Sequence, residues 1–173
     1  LGYSVPNNLL NNWEGFQKKV ARMWDAKLKD YGFMSDQAHQ LNQAYRLYTL
    51  ALAKKPEMGA MNRLRETRNL SLQAKWRLAA AYAAAGKPEV AKSITKGLSR
   101  SVPDYRELAY TYGSDLRDEA MILETMVLLG DREAAGQQVR DLSDALSNSR
   151  WYSTQTISYA LLAIGKFVGD SEV

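Results

Sequence analysis

The fold of this chain is decided by residues 151–166, which read Trp-Tyr-Ser-Thr-Gln-Thr-Ile-Ser-Tyr-Ala-Leu-Leu-Ala-Ile-Gly-Lys. Ser153 begins a turn of hydroxyl and amide side chains, which cap a helix start by accepting hydrogen bonds from its first N–H groups. The residues that follow are apolar and often small. They predict a helix that packs inside a layered helical array, and nothing in them indicates a catalytic centre.

Most of the remaining sequence has the same helical period, with apolar residues three and four positions apart and no strand alternation. Ser, Asp and Pro favour helix starts, and Gly favours helix ends. The predicted helices begin at Pro6, at Ser35 or Asp36, near Met58, at Ser71, at Pro88, at Ser114 or Asp115, at Asp131 and at Ser153. Tyr31-Gly32-Phe33, Lys54-Lys55-Pro56, Gly86, Gly130 and Ser147-Asn148-Ser149 interrupt them, and the tail from Gly169 is expected to fray.

We expect each apolar stripe to be buried, since isolated helices of this length are marginal in water. The stripe of the first helix is Leu9, Trp13, Phe16, Val20 and Met23, and that of the last is Ile157, Leu161, Ile164 and Val168. Each buried tryptophan removes roughly 150–250 Å² from water, or about 4–6 kcal/mol before opposing terms. We therefore expect Trp13, Trp24, Trp76 and Trp151 to anchor the stack.

The turns at Gly86 and Gly130 each join an apolar helix to a more polar one, which predicts antiparallel helical hairpins. Residues 100–113 differ, because Val102-Pro103 and Gly113 favour an irregular connection. Its tyrosines, Tyr105, Tyr110 and Tyr112, either pack this segment onto the array or form a contact surface, and we favour packing. The fold class is thus all-α, an antiparallel αα-hairpin array, with residues 1–173 forming a single helical domain.

Composition excludes several classes of function. The chain has 173 residues, no cysteine and a formal charge of +4, so disulfides, thiolate chemistry and cysteine-bound metals are excluded and a nucleic-acid stripe is not expected. No run approaches the ~18 apolar residues that span a bilayer. The chain begins at Leu1 without a methionine, so we interpret it as a fragment of a longer polypeptide.

Candidate catalytic residues have simpler structural interpretations. His39 is the only histidine and lies within a predicted helix, so we expect neither a metal site nor a cofactor. Asp115, Asp118 and Glu119 cluster at a helix start, where carboxylates complement exposed N–H groups. Ser153 has no general base nearby in sequence, so capping is favoured over nucleophilic catalysis. We expect no enzyme activity.

Cationic residues form three groups on predicted polar faces: Lys18-Lys19-Arg22, Arg63-Arg65-Arg68 and Lys92-Lys96-Arg100. We interpret them as solvated helix surface. The alternative interpretation is a surface for an acidic partner.

Three segments resemble one known family. Residues 151–163 resemble the Ser-Thr-Gln helix of the thioester domain in alpha-2-macroglobulins and complement proteins, through Ser153, Thr154 and Gln155. Residues 112–124, with Ser114 and Asp115, are similar to the helix that precedes it by one hairpin in bacterial members. Residues 2–6 and 58–64 also fit bacterial members, in the family's order.

The resemblance implies a partial α/α toroid, in which helical hairpins form an inner and an outer ring. It implies a parent protein that inhibits endopeptidases by trapping them, either periplasmic and anchored in the cell envelope or secreted. Other domains of the parent, and proteases as its targets, are then the partners. The family's thioester motif, Cys-x-Glu-Gln, is missing here because there is no cysteine. We therefore give Ser153, Thr154, Gln155, Ser114 and Asp115 capping and packing roles only.

Two other functions remain open. A tetratricopeptide-like solenoid would bind a peptide or protein in a concave groove, although Gly86 and Gly130 are further apart than its period of ~34 residues. An α/α-toroid enzyme acting on polysaccharide would need paired acids in one cleft, and no pair is convincing. A fragment of a toroid would also expose apolar faces at its ends, near Leu9 and Trp13, and we expect self-association through them.

Overall fold

The computed structural model describes residues 5–26, 35–107, 112–148 and 150–169. In these ranges the protein is all-helical, as predicted, and its only extended pairing is an isolated bridge between Arg106 and Ser114. The helices are α1 (Asn7–Met23), α2 (Asp36–Leu52), α3 (Met58–Arg65), α4 (Leu72–Ala84), α5 (Pro88–Thr95), α6 (Asp115–Leu128), α7 (Arg132–Ser147) and α8 (Thr154–Gly169).

Local sequence signals set most helix ends. The hydroxyls of Ser35, Ser71 and Ser114 accept hydrogen bonds from the N–H groups of Ala38, Ala74 and Arg117, and the carboxylate of Asp131 caps α7. Gly86 and Gly130 follow α4 and α6 with φ of 74° and 71°, a left-handed conformation that glycine adopts without steric cost. The predicted break at Tyr31-Gly32-Phe33 lies outside the described residues.

The helices form two layers. Helices α2, α4, α6 and α8 form one row, the helix row, in which each packs on the next. The outer helices α5 and α7 pack on α4 and α6 through the short turns 85–87 and 129–131, which make two antiparallel hairpins. Helix α4 is buried almost all round, and Ala79, Ala80 and Ala81 let its neighbours approach closely because they are small.

Two apolar clusters fill the space between the layers. One joins α2, α3 and α4 around Leu47, Met61 and Leu78, and the other joins α6, α7 and α8 around Leu123 and Leu142. Trp76 of α4 is 5% exposed and belongs to the second cluster, so α4 contributes to both.

The predicted burial of the outermost stripes is wrong for most of their residues, although Trp13 and Ile164 are partly buried against the two clusters. Leu9, Phe16 and Met23 of α1 are 60%, 62% and 68% exposed, because polar contacts turn a different face of α1 inward. The carbonyl of Ala21 accepts a hydrogen bond from Gln43 Nε2 at 3.0 Å, and Gln17 accepts one from Arg46. In α8 the buried residues are Thr156, Ala160 and Ala163, since only small side chains fit against α6.

Aromatic residues divide between core and surface. Trp76 is buried, Trp13 and Trp24 are half-buried, and Trp151 is 61% exposed, so Trp151 is not the anchor that we predicted. Tyr105 packs inward, as we favoured, whereas Tyr112 is exposed and Tyr110 lies outside the described ranges.

Gly86 tests the role of the hairpin turns. Gly86→Ala should lower the free energy of unfolding by about 1 kcal/mol, because a Cβ disfavours positive φ, while no neighbouring atom lies within 4 Å of the added carbon. Urea unfolding measures the change. Gly59→Ala is the matched control: Gly59 lies inside α3 with no atom near its Cβ position, so alanine there should stabilise by roughly 0.5–1 kcal/mol. Equal effects of both changes would contradict a conformational role for Gly86.

Candidate functional site

All four helices of the row contribute to one buried polar cluster, the Glu124 cluster. Glu124 of α6 is 5% exposed and accepts hydrogen bonds from Arg77 Nη1 of α4 at 2.7 Å and from Tyr48 Oη of α2 at 3.0 Å. Lys166 of α8 also contacts its carboxylate. Tyr159 of α8 donates from its hydroxyl to that of Tyr45 in α2 at 2.5 Å, which completes the cluster.

Opposite charges and aromatic faces compensate for burial here. Burial alone would raise the pKa of Glu124, but the charges of Arg77 and Lys166 outweigh it and hold that pKa below its usual range. The Arg77 guanidinium lies 4.6 Å from the ring centre of Tyr48 and 5.4 Å from that of Tyr45, so both rings stabilise its charge. Among the residues that the structure describes, its Nε and Nη2 find no hydrogen-bond partner. Burial raises the pKa of the Tyr48 hydroxyl, which therefore stays protonated and donates to Glu124.

A second buried cluster, the Asp118 cluster, lies at the start of α6. The Asp118 side chain accepts hydrogen bonds from Arg117 Nη2 at 2.7 Å and from Tyr105 Oη at 2.6 Å, and burial raises its pKa above the ordinary value. Arg117 Nη1 also donates to Gln155 of α8 at 3.3 Å. Asp118 lies in the first turn of α6, as expected, but Ser114 caps the helix and the Asp118 carboxylate is bonded to Arg117 and Tyr105.

A cavity of about 70 Å³ adjoins the Asp118 cluster. Ser35 and Gln37 at the start of α2, Gln73 at the start of α4 and Arg117 near the start of α6 all line it. The row helices therefore begin at the same edge of the array, which short antiparallel hairpins require. A space of this size holds a few water molecules and is too small for a sugar.

The hydroxyls of Ser114 and Ser153, two of the residues singled out in the sequence, meet at the start of α8. Thr156 is buried, and its Oγ1 lies 2.9 Å from Ser114 Oγ and 3.0 Å from Ser153 Oγ. Ser153 caps the helix, because its Oγ accepts the Thr156 N–H at 3.2 Å. The structure thus brings Ser114, Ser153 and Gln155 to the α6–α8 contact, while Thr154 is exposed and Asp115 is only half-buried.

The other candidates have structural roles. His39 stacks on Trp24 with ring centres 5.3 Å apart, and its Nε2 lies 3.4 Å from the carbonyl of Asp25. Over the ranges that the structure describes, no three His, Asp or Glu side chains form a group that could hold a metal ion. Those ranges also contain no helix with the length and apolarity that a bilayer crossing needs.

Sequence reasoning missed the Glu124 cluster, although a signal was present. Arg77 lies between Trp76 and Leu78, and Glu124 lies between Leu123 and Thr125, each a single charge on an apolar face. Charges of opposite sign on two apolar helices indicate a buried ion pair, since neither is tolerated alone in a core.

Comparison of the chain with protein-family models, curated proteins and solved structures finds no match. The roles of these residues therefore rest on their geometry. Both buried carboxylates are paired with arginine, and both predicted serines are hydrogen-bonded within the α6–α8 contact. The arrangement orders helices, and the polar groups described above show no nucleophile beside a general base.

The first prediction for these clusters concerns charge. Glu124→Gln should lower the free energy of unfolding by about 3 kcal/mol at pH 7, because it leaves Arg77 buried without a counter-charge. The folded-state pKa of Glu124 is lowered, so its stabilising effect is fully present above the unfolded value of about 4.3. That effect is lost as the pH falls through the folded-state pKa. Urea unfolding at pH 7 and pH 3 should show the difference between variant and wild type shrinking in acid.

Tyr48→Phe is the matched control, because it removes one hydrogen bond to Glu124 and keeps both charges. It should cost about 1 kcal/mol, and this loss should change less with pH than that of Glu124→Gln, because both charges remain. A difference for Glu124→Gln that stays constant between the two pH values would contradict an ionised Glu124.

The second prediction concerns the motif at the start of α8. Ser153→Ala should lower the free energy of unfolding by about 1 kcal/mol, because it removes a helix cap. Thr154→Ala should change it by less than about 0.5 kcal/mol, since Thr154 is exposed. Thermal unfolding of the two variants measures both. A larger loss for Thr154→Ala would show that capping is not the role of Ser153.

Proposed function

We propose that the chain is a non-catalytic helical scaffold from an endopeptidase inhibitor of the alpha-2-macroglobulin type. The observation that supports this most directly is the contact between the two segments that resemble the family. Ser114 at the start of α6 and Ser153 at the start of α8 meet through Thr156, and Arg117 bonds to Gln155. Residues that match the family pattern thus hold two row helices together.

The curvature of the helix row also supports the proposal. Neighbouring helices pack about 8–10 Å apart, so a flat row would place α2 and α8 three such spacings apart. The hydroxyls of Tyr45 and Tyr159 instead lie 2.5 Å apart, a reach that two tyrosine side chains achieve only if the row bends toward them. The inner ring of an α/α toroid requires such a bend. A peptide-binding solenoid would need an open concave groove, and here the Glu124 cluster occupies that side.

Both outermost helices expose apolar side chains. On α8, Leu161 and Leu162 are 59% and 52% exposed, and on α1 the exposed residues include Leu9 and Phe16. A scaffold inside a larger protein would cover such faces with neighbouring domains. The proposal accordingly makes other parts of a longer parent the immediate partners, with the reactive thioester, target proteases and an envelope or secreted location belonging to that parent.

The parent polypeptide tests the inhibitor function. An endopeptidase incubated with it should lose activity on a large protein substrate and keep activity on a small peptide substrate, because trapping excludes substrates by size. A Cys-x-Glu-Gln motif upstream of residue 1 in the reading frame would support the thioester mechanism. Equal loss of both activities, or none, would contradict a trap.

The exposed α8 face gives a prediction for the 173-residue chain. Its sedimentation coefficient should rise with concentration, because apolar faces on α1 and α8 associate between copies. The double change Leu161→Glu/Leu162→Glu should reduce this association at constant stability, since both side chains already contact solvent. Ser158→Glu, an exposed position on the same helix, is the control and should change it little. A monomer at every concentration would contradict docking through these faces.

A further inference from the structure

An open groove separates the outer helices α5 and α7. No contact joins these two helices, although each packs on its partner in the row. The groove has a volume of about 720 Å³, with Trp76 and Met126 of the row at its floor and Leu98 at one side. The shortness of α5 leaves this space open, since α5 has 8 residues and α7 has 16.

Cationic side chains outnumber carboxylates at the groove by three to two. Lys92, Lys96 and Arg100 line it, and all three are exposed. Of its two carboxylates, Glu89 lies 3.6 Å from Lys92, and Asp131 already caps α7 by accepting the Ala134 N–H at 3.3 Å. Among the residues with described positions, no carboxylate lies within ion-pair distance of Lys96 or Arg100. The groove therefore has a cationic surplus beside the half-buried Leu98.

The helix dipole explains only part of this charge. Lys92 and Lys96 stand at the carboxyl end of α5, where cations are favoured. Arg100 lies beyond the turn at Gly97, which has a φ of 74°, and is too far along the chain to benefit from the last turn of α5. Leu98 lies between Lys96 and Arg100 in the sequence, and all three side chains line the same groove. Solvated helix surface, our interpretation from sequence, does not account for that combination.

We propose that the groove between α5 and α7 binds an extended acidic segment of a partner protein. Carboxylates of the segment pair with Lys96 and Arg100, and an apolar side chain between them contacts the half-buried Leu98. At about 1.5 Å per residue α5 is roughly 12 Å long, so about four extended residues at ~3.3 Å each would cover it. Charge complementarity selects the acidic segment as occupant. This surface is separate from the faces of α1 and α8, and goes beyond the scaffold role.

Fluorescence anisotropy with a labelled eight-residue peptide of alternating Glu and Leu provides the test. The peptide should bind saturably and more weakly as salt is added. The change Lys96→Glu/Arg100→Glu should weaken binding at least about tenfold, or about 1.4 kcal/mol. Lys19→Glu/Lys55→Glu makes the same change in net charge on α1 and after α2, at exposed positions, and should weaken binding less than about twofold because general attraction alone is lost.

The side chain of Trp76 provides an independent local readout. Its indole Nε1–H donates to the carbonyl of Ser99 at 2.8 Å, so its NMR resonance should shift when a peptide fills the groove. The titration should use the Leu161→Glu/Leu162→Glu background, so that association through α8 does not interfere. Failure of the scaffold proposal would then leave the groove result unaffected.

Four outcomes would overturn the proposal: no saturable binding, equal losses in the two charge-reversed pairs, an unshifted Trp76 resonance at saturation, or equally tight binding of an oligothymidine of the same charge. The last outcome would indicate a general polyanion surface in place of a peptide site. Circular dichroism of Lys96→Glu/Arg100→Glu should match wild type, because both side chains are exposed.

Discussion

The carboxylate of Glu124 is the point at which the helix row is held together. A charge in an apolar interior is costly unless an opposite charge and further hydrogen bonds compensate for lost hydration. Arg77, Tyr48 and Lys166 supply that compensation, each from a different helix. Sliding α4 against α6 by one turn would separate Arg77 from Glu124 and leave the buried guanidinium without its counter-charge. The pair therefore fixes the register of the two central helices, while the alanines of α4 set how closely they approach.

The two polar clusters lie at different positions along the helix row. The Glu124 cluster lies between the row helices, and side chains of α2 and α8 reach it from both sides. The Asp118 cluster lies at the edge where the row helices begin, and Tyr105 connects it to the irregular segment before α6. Burial raises the pKa of a carboxyl group in both clusters. At Glu124 the charges of Arg77 and Lys166 outweigh burial and lower the pKa. At Asp118 burial outweighs the effect of Arg117 and Tyr105, and the pKa is raised.

Local chemistry made much of the fold predictable from sequence. Ser35, Ser71, Ser114 and Asp131 cap the helices that they were expected to cap, since a cap depends on residues within one turn. Burial of α1 and α8 could not be predicted in this way. Periodicity shows that Leu9 and Phe16 share a face with Trp13, but the polar contacts of Gln43 and Arg46 decide which face of α1 turns inward. Which face of α1 is buried depends on contacts with distant segments, and an apolar stripe does not reveal those contacts.

The same distinction applies to the candidate sites. Ser153 was predicted as a cap from its own segment, and its Oγ is hydrogen-bonded to the Thr156 N–H. Its link to Ser114 through Thr156 required knowing that α8 packs on α6. The groove between α5 and α7 depends on a further fact, that α5 has only 8 residues and ends at Thr95. Lys96, Gly97 and Leu98 then occupy the position that another turn of helix would fill. Because α5 ends early, just before Gly97, which has a positive φ, the charged surface beside it is concave. In our proposal, Lys96 and Arg100 therefore face the same bound segment.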